Sequence, residues 1–78
     1  MNTQELHDGF QKELIRRGLP ADYASSAAAE LADHHRDLVG ELCNTGMDES
    51  AAAREAAQRL GDHRSLVKKS VREFQRRQ

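Results

Sequence analysis

Residues 20–44, PADYASSAAAELADHHRDLVGELCN, decide the fold of this 78-residue chain. Pro20 suits the first turn of a helix, and Asn44-Thr45-Gly46 suits the end of one. Apolar residues between these signals recur at the spacing of one helical face. They are Ala24, Ala27, Ala28, Leu31, Leu38 and Leu42. The stretch therefore predicts one long helix over about residues 20–44, whose first alanines allow a neighbouring helix to approach closely.

A shorter helix is predicted upstream, over about residues 3–17. Asn2 and Glu5 have the spacing of a capping box, with an amide in place of the usual hydroxyl. Leu6, Phe10 and Leu14 recur every four residues and form a stripe that we expect to be buried. Gly18 is a good terminator, which separates this helix from the long one.

Two more helices are predicted downstream, over about residues 48–60 and 62–77. Asp48 and Asp62 are suitable N-caps, and Gly61 separates the two helices. The third helix is expected to bury Ala53, Ala56, Ala57 and Leu60, and the fourth to bury Leu66, Val67, Val71 and Phe74. Strand signals are absent. The sequence predicts an all-α domain over residues 1–78, a small bundle of three to four helices with one long central helix.

Composition restricts the function classes. Hydrophobic residues make up 37% of the chain and aromatic residues 4%, and 11 of the residues are alanine. A core this small argues against a deep apolar substrate pocket, and no catalytic constellation is recognisable. We expect no enzyme activity and no cofactor. The single cysteine, Cys43, excludes an internal disulfide, and no apolar run approaches the roughly 18 residues that cross a membrane.

Charge is divided unevenly along the chain. Residues 62–78 contain six basic and two acidic residues, whereas residues 1–61 contain six basic and eleven acidic ones. The basic residues of the last helix are Arg64, Lys68, Lys69, Arg72, Arg76 and Arg77. Such a run is typical of a solvated helix end, of a nucleic-acid contact, or of a segment next to a membrane, where it meets anionic lipid.

A polar ridge runs beside the apolar face of the long helix. Glu30, His34, Asp37 and Glu41 form this ridge, and carboxylates and imidazoles at such spacing can share a divalent metal. The simpler interpretation is a polar flank that pairs with basic residues of the last helix. His35 differs from the ridge, because it lies on the apolar face, and we expect it to be packed at a helix contact.

The corner between the third and fourth helices has the spacing of a DNA-binding helix-turn-helix. Ala57, Gly61 and Val67 occupy the small, turn and branched positions of that motif. Asp62 and Ser70 depart from it, because apolar residues usually occupy their positions. DNA binding is therefore an alternative hypothesis.

The order of short motifs resembles a known family. The matching residues are Leu19-Pro20, Glu30-Leu31, Asp33-His34, Asp37, Gly46-Met47, Ala53, Ala56-Ala57, Leu60-Gly61-Asp62 and Leu66. This pattern resembles the bacterial permease-prefix (HAAS-like) domain, a helical module at the N-terminus of multi-spanning membrane proteins. It covers about residues 5–70. His35 departs from the pattern, since the family usually has an apolar residue there.

The resemblance implies a non-catalytic regulatory or protein-interaction domain on the cytoplasmic side of the bacterial inner membrane. The basic last helix would then lead into the first membrane span. We expect a protein partner, which is a regulator, a cytosolic part of the permease, or a second copy that forms a homodimer. The alternatives are a small DNA-binding protein and a metal-responsive sensor that uses the ridge of Glu30, His34, Asp37 and Glu41.

Overall fold

The computed structural model describes residues 2–61 and 63–76, which form four helices and no strand. These are α1 (Thr3–Arg16), α2 (Ala21–Asn44), α3 (Glu49–Leu60) and α4 (His63–Arg76). The predicted fold class is confirmed, and each predicted helix end that falls on described residues is correct to within one residue. The predicted ends at Asp62 and Arg77 lie outside the described residues.

Side-chain caps begin two of the helices. The Asn2 side chain accepts a hydrogen bond of 2.8 Å from the backbone N–H of Glu5, and the Asp48 carboxylate accepts one of 2.8 Å from Ala51. Each cap satisfies one backbone donor that has no partner within its helix. Pro20 does not enter the first turn of α2. It has an extended ψ of 147° and immediately precedes the first helical residue.

Glycines end α1 and α2 in the left-handed conformation. After α1, Gly18 has φ +93°, and the N–H of Leu19 donates a 3.1 Å bond to the carbonyl of Leu14. A corresponding bond of 3.3 Å follows α2, where Gly46 has φ +106°. Only glycine adopts this conformation at little steric cost, which explains why both helices end where the sequence predicts.

The larger core lies between α1, the first half of α2 and α4. All three residues of the predicted α1 stripe are buried. The buried members of this core are Leu6, Phe10, Leu14, Leu19, Ala24, Ala28, Leu31 and Val67. Helix α4 contributes one of these residues, whereas its other expected core residues, Leu66, Val71 and Phe74, are half-buried and pack against the edge of the core.

A smaller core joins the second half of α2 to α3. Its buried residues are Leu42, Ala52 and Ala56, and Leu38, Val39 and Met47 pack against them. The prediction for α3 was partly wrong. Ala56 is buried as predicted and Ala52 takes the second buried position, whereas Ala53, Ala57 and Leu60 are half-buried. Alanines at residues 51–53 and 56–57 give the helix several equally small faces, and packing against α2 selects the face of residues 52 and 56.

The helices are arranged along an elongated molecule of 44 × 18 × 16 Å. Helix α1 runs antiparallel to α2, since Thr3 contacts His35 in the middle of α2. Helix α4 packs mainly on α1 and reaches the start of α2, where Tyr23 and Phe74 place their ring centroids 4.9 Å apart. The last residues of α1 and α4 therefore share one end of the molecule with the first residues of α2.

Candidate interaction surface

A groove of about 600 Å³ separates α2 from α4. Its apolar floor consists of Phe10, Leu31 and Leu66, together with the rings of Tyr23 and Phe74. These side chains belong to the larger core or pack against it, so the groove exposes one side of that core. We call this surface the α2–α4 groove.

Tyr23 joins the two walls of the α2–α4 groove at one end. Its hydroxyl donates a 3.3 Å hydrogen bond to the backbone carbonyl of Ser70, and its ring is tilted by 60° against Phe74. The contact gives Tyr23 both an apolar and a polar anchor, as is common for half-buried tyrosines. It holds α4 at a fixed distance from α2 at this end.

Carboxylates outnumber basic side chains in the lining of the groove. Asp22 and Glu30 lie on the α2 wall, and Glu73 lies on the α4 wall. Lys69 is the one lysine or arginine among the described lining residues. The groove therefore combines an apolar floor with an excess of negative charge at its edges.

The polar ridge predicted on α2 is exposed along its whole length. Glu30 and His34 line the α2–α4 groove, whereas Asp37 and Glu41 lie further along α2. No three His, Cys, Asp or Glu side chains of the described residues are arranged to hold a metal ion. The expected pairing with the last helix is also not found, because no ion pair within residues 2–61 and 63–76 joins this ridge to α4.

The basic residues of α4 form an exposed ridge. Arg64, Lys68, Lys69, Arg72 and Arg76 are all exposed, and Arg77 lies outside the described residues. Along the part of the chain that the structure describes, every ion pair joins residues between His7 and Arg59, and none involves α4. The five described cations of α4 thus have no carboxylate partner there, although Glu73 lies on the same helix.

The corner between α3 and α4 retains some features of the predicted helix-turn-helix. Gly61 has φ +103°, and Val67 is 1% exposed. Helix α4, however, packs mainly on α1, and Val67 is buried in the core with α1 and α2. Ala57 is half-buried. The close crossing of two consecutive helices that defines the motif is therefore not what positions α4.

His35 connects three helices, as expected for a packed histidine. Its side chain is 0% exposed. Nε2 lies 3.1 Å from the carbonyl oxygen of Ala53 in α3, and Nδ1 lies 2.9 Å from Oγ1 of Thr3 in α1. Because a carbonyl only accepts, Nε2 carries the proton, and in the neutral ring Nδ1 accepts from the threonine hydroxyl. Sequence patterns gave no sign of the contact with Thr3.

Two carboxylates on α1 have perturbed pKa values. A hydrogen bond from Arg17 lowers the pKa of Glu13, and a nearby Arg16 acts in the same direction. A hydrogen bond with His7 lowers the pKa of Asp8. Glu13 thereby offsets part of the positive charge at the end of α1.

Cys43 is exposed and is not paired. Within the described residues, no helix combines the length and the apolar character that crossing a membrane requires.

Comparison of the chain with protein-family models, with curated proteins and with solved structures found no match.

Proposed function

We propose that this chain is a non-catalytic regulatory domain on the cytoplasmic side of a bacterial, permease-like membrane protein, and that it binds a helix of a protein partner in the α2–α4 groove. The likeness of its short motifs to permease-prefix domains supports the cellular setting. The groove supports the mode of action, and it is the observation on which the proposal depends.

An additional helix fits the geometry of this groove. Helices α1, α2 and α4 surround the larger core on three sides, and the side between α2 and α4 exposes half-buried Tyr23, Leu66 and Phe74. A fourth helix laid there would cover these side chains and complete a four-helix cross-section. Binding of an amphipathic helix in an apolar groove is a common form of peptide recognition.

The partner is expected to be a different protein. Among the described large apolar side chains, Ile15 is the exposed one, at 46%, so a second copy offers no apolar stripe to fill the groove. The carboxylates at the edges, Asp22, Glu30 and Glu73, favour a helix whose apolar stripe is flanked by lysine or arginine. A regulator or a cytosolic segment of the permease can supply such a helix.

Site-specific photocrosslinking tests the groove. A photoreactive phenylalanine analogue at Ser26, which is exposed and lines the groove, should yield a discrete adduct in living cells. The same residue at Ser25 is the matched control, because Ser25 is also exposed but is not part of the lining. Mass spectrometry should place the crosslink on a basic amphipathic helix of another protein. A crosslink to a second copy, or equal adducts at both positions, would contradict the proposed partner.

The membrane setting has a separate test, which is the reading frame of the gene beyond codon 78. The proposal expects that the frame continues within a few residues into about 20 apolar residues. A stop codon at that point would refute the membrane setting, and it would leave the groove experiment to be judged by itself.

A further inference from the structure

The fold collects basic side chains at one end of the molecule. Because α1 and α4 both finish beside the start of α2, Arg16 and Arg17 lie at the same end as Arg72 and Arg76. All four side chains are exposed. We call this group of four arginines the basic end.

The opposite end is acidic. It contains the last turns of α2 and the first turn of α3, with Glu41, Asp48 and Glu49 exposed there. The start of α1, with Glu5 and Asp8, also points away from the basic end. Asp22 and Glu73 also lie towards the basic end, so the uneven charge along the sequence becomes a partial charge separation along the 44 Å axis.

Of the four arginines of the basic end, the two on α4 are the ones that remain available to bind an anionic surface. Oε2 of Glu13 lies 3.1 Å from Nη2 of Arg16, and Oε1 lies 3.2 Å from Nε of Arg17. The Glu13 carboxylate therefore offsets part of the charge of these two arginines. Arg72 and Arg76 form no ion pair with any residue that the structure describes. They also lie outside the lining of the α2–α4 groove, so a partner helix there would leave them exposed.

We propose that the basic end binds the surface of an anionic lipid bilayer. A molecule with separated charge turns its positive end towards a negative surface, and each cation that reaches the headgroups adds to the binding. The inference rests on the proposed function for its cellular setting, whereas the contact itself is a property of the 78-residue chain.

A flat anionic surface fits the arrangement better than a DNA duplex. The four arginines come from the ends of two helices, whereas a recognition helix enters the major groove with its first residues. Arg64 is the one lysine or arginine in the first turn of α4 that the structure describes, and it is exposed. The duplex is therefore the comparison ligand in the test.

The experiment is co-sedimentation of the whole chain with vesicles of phosphatidylcholine, with and without phosphatidylglycerol. We expect binding only to the vesicles that contain phosphatidylglycerol, and loss of that binding at high salt. The variant Arg72→Gln/Arg76→Gln should weaken binding by about 25-fold, since each cation near such a surface contributes a factor of about five.

The matched control is Arg36→Gln/Arg54→Gln, which removes the same charge from exposed positions away from the basic end. It should bind like the wild type, and circular dichroism should show equal helix content in both variants. Equal loss of binding in the two variants, or no preference for phosphatidylglycerol, would overturn the inference. Salt-sensitive binding to duplex DNA in place of vesicles would also overturn it, while the photocrosslinking result at Ser26 would be unaffected.

Discussion

Substitution of His35 by alanine tests the contact that joins three helices. The side chain is fully buried and links Ala53 to Thr3 through its two ring nitrogens. Truncating a buried side chain of similar size lowers the free energy of unfolding by about 2–5 kcal/mol. Each lost hydrogen bond lowers it by about 1 kcal/mol more where the remaining partner group has no contact with water.

The surroundings of His35 narrow the range of destabilisation expected for His35→Ala. A groove of about 560 Å³, lined by His35, Thr3 and Ala53, lies beside the contact. Water can therefore reach the polar groups that the substitution vacates, which limits the penalty for leaving them unpaired. We expect His35→Ala to lower the free energy of unfolding by about 3 kcal/mol. A domain of this length is stable by only about 4–12 kcal/mol, so the effect is large.

Urea denaturation followed by circular dichroism measures this change. The neighbouring His34 is exposed, so His34→Ala is the matched control and should change the stability by less than about 0.5 kcal/mol. Thr3→Val removes one hydrogen bond and keeps the shape, and it should cost about 1 kcal/mol. If His35→Ala and His34→Ala had similar effects, the reasoning about this contact would be refuted.

Two further predictions concern helix ends. Asp48→Ala should destabilise the domain by about 1 kcal/mol, because it removes the acceptor for the N–H of Ala51, whereas Asp48→Asn should retain most of the stability. An equal loss in both variants, measured by urea denaturation, would contradict a capping role. The hydrogen bond from Arg17 lowers the pKa of Glu13, so this carboxylate stabilises the fold above its ordinary pKa of 4.5 and loses that effect as the pH falls through the lowered value. The stability difference between wild type and Glu13→Gln should therefore shrink as the pH falls below about 4.5, and a difference that is independent of pH would exclude the linkage.

The helix ends were predictable because short local signals determine them. Gly18 provides the left-handed residue after α1, and the Asp48 carboxylate provides the cap of α3. Both effects act within a few residues of the helix end, so they are visible in the sequence. The buried stripe of α1 was predictable for a related reason, since Leu6 and Phe10 are large apolar residues on a helix whose other faces carry mainly polar residues.

The buried face of α3 and the position of α4 were not predictable in the same way. An alanine-rich helix has little difference in hydrophobicity between its faces, so periodicity did not distinguish Ala52 from Ala53. The contact between Thr3 and His35 joins residues 32 positions apart and has no local signal. Tertiary packing also decides that Arg16 and Arg72 share one end, since the sequence does not give the direction of α4 relative to α1.

Helix α4 explains why both candidate surfaces occur on such a small domain. Val67 is its one fully buried side chain among the described residues, and the contact of Tyr23 with Ser70 and Phe74 fixes it near α2. Its other apolar side chains, Leu66, Val71 and Phe74, are half-buried at the edge of the core, so α4 leaves its inner edge open to the groove and its outer edge open to solvent. Where α4 is docked in only part of the molecules, a partner helix and an anionic surface that both bind the docked position favour each other's binding by the same factor. A domain next to a membrane would then bind its partner more tightly on the bilayer than away from it.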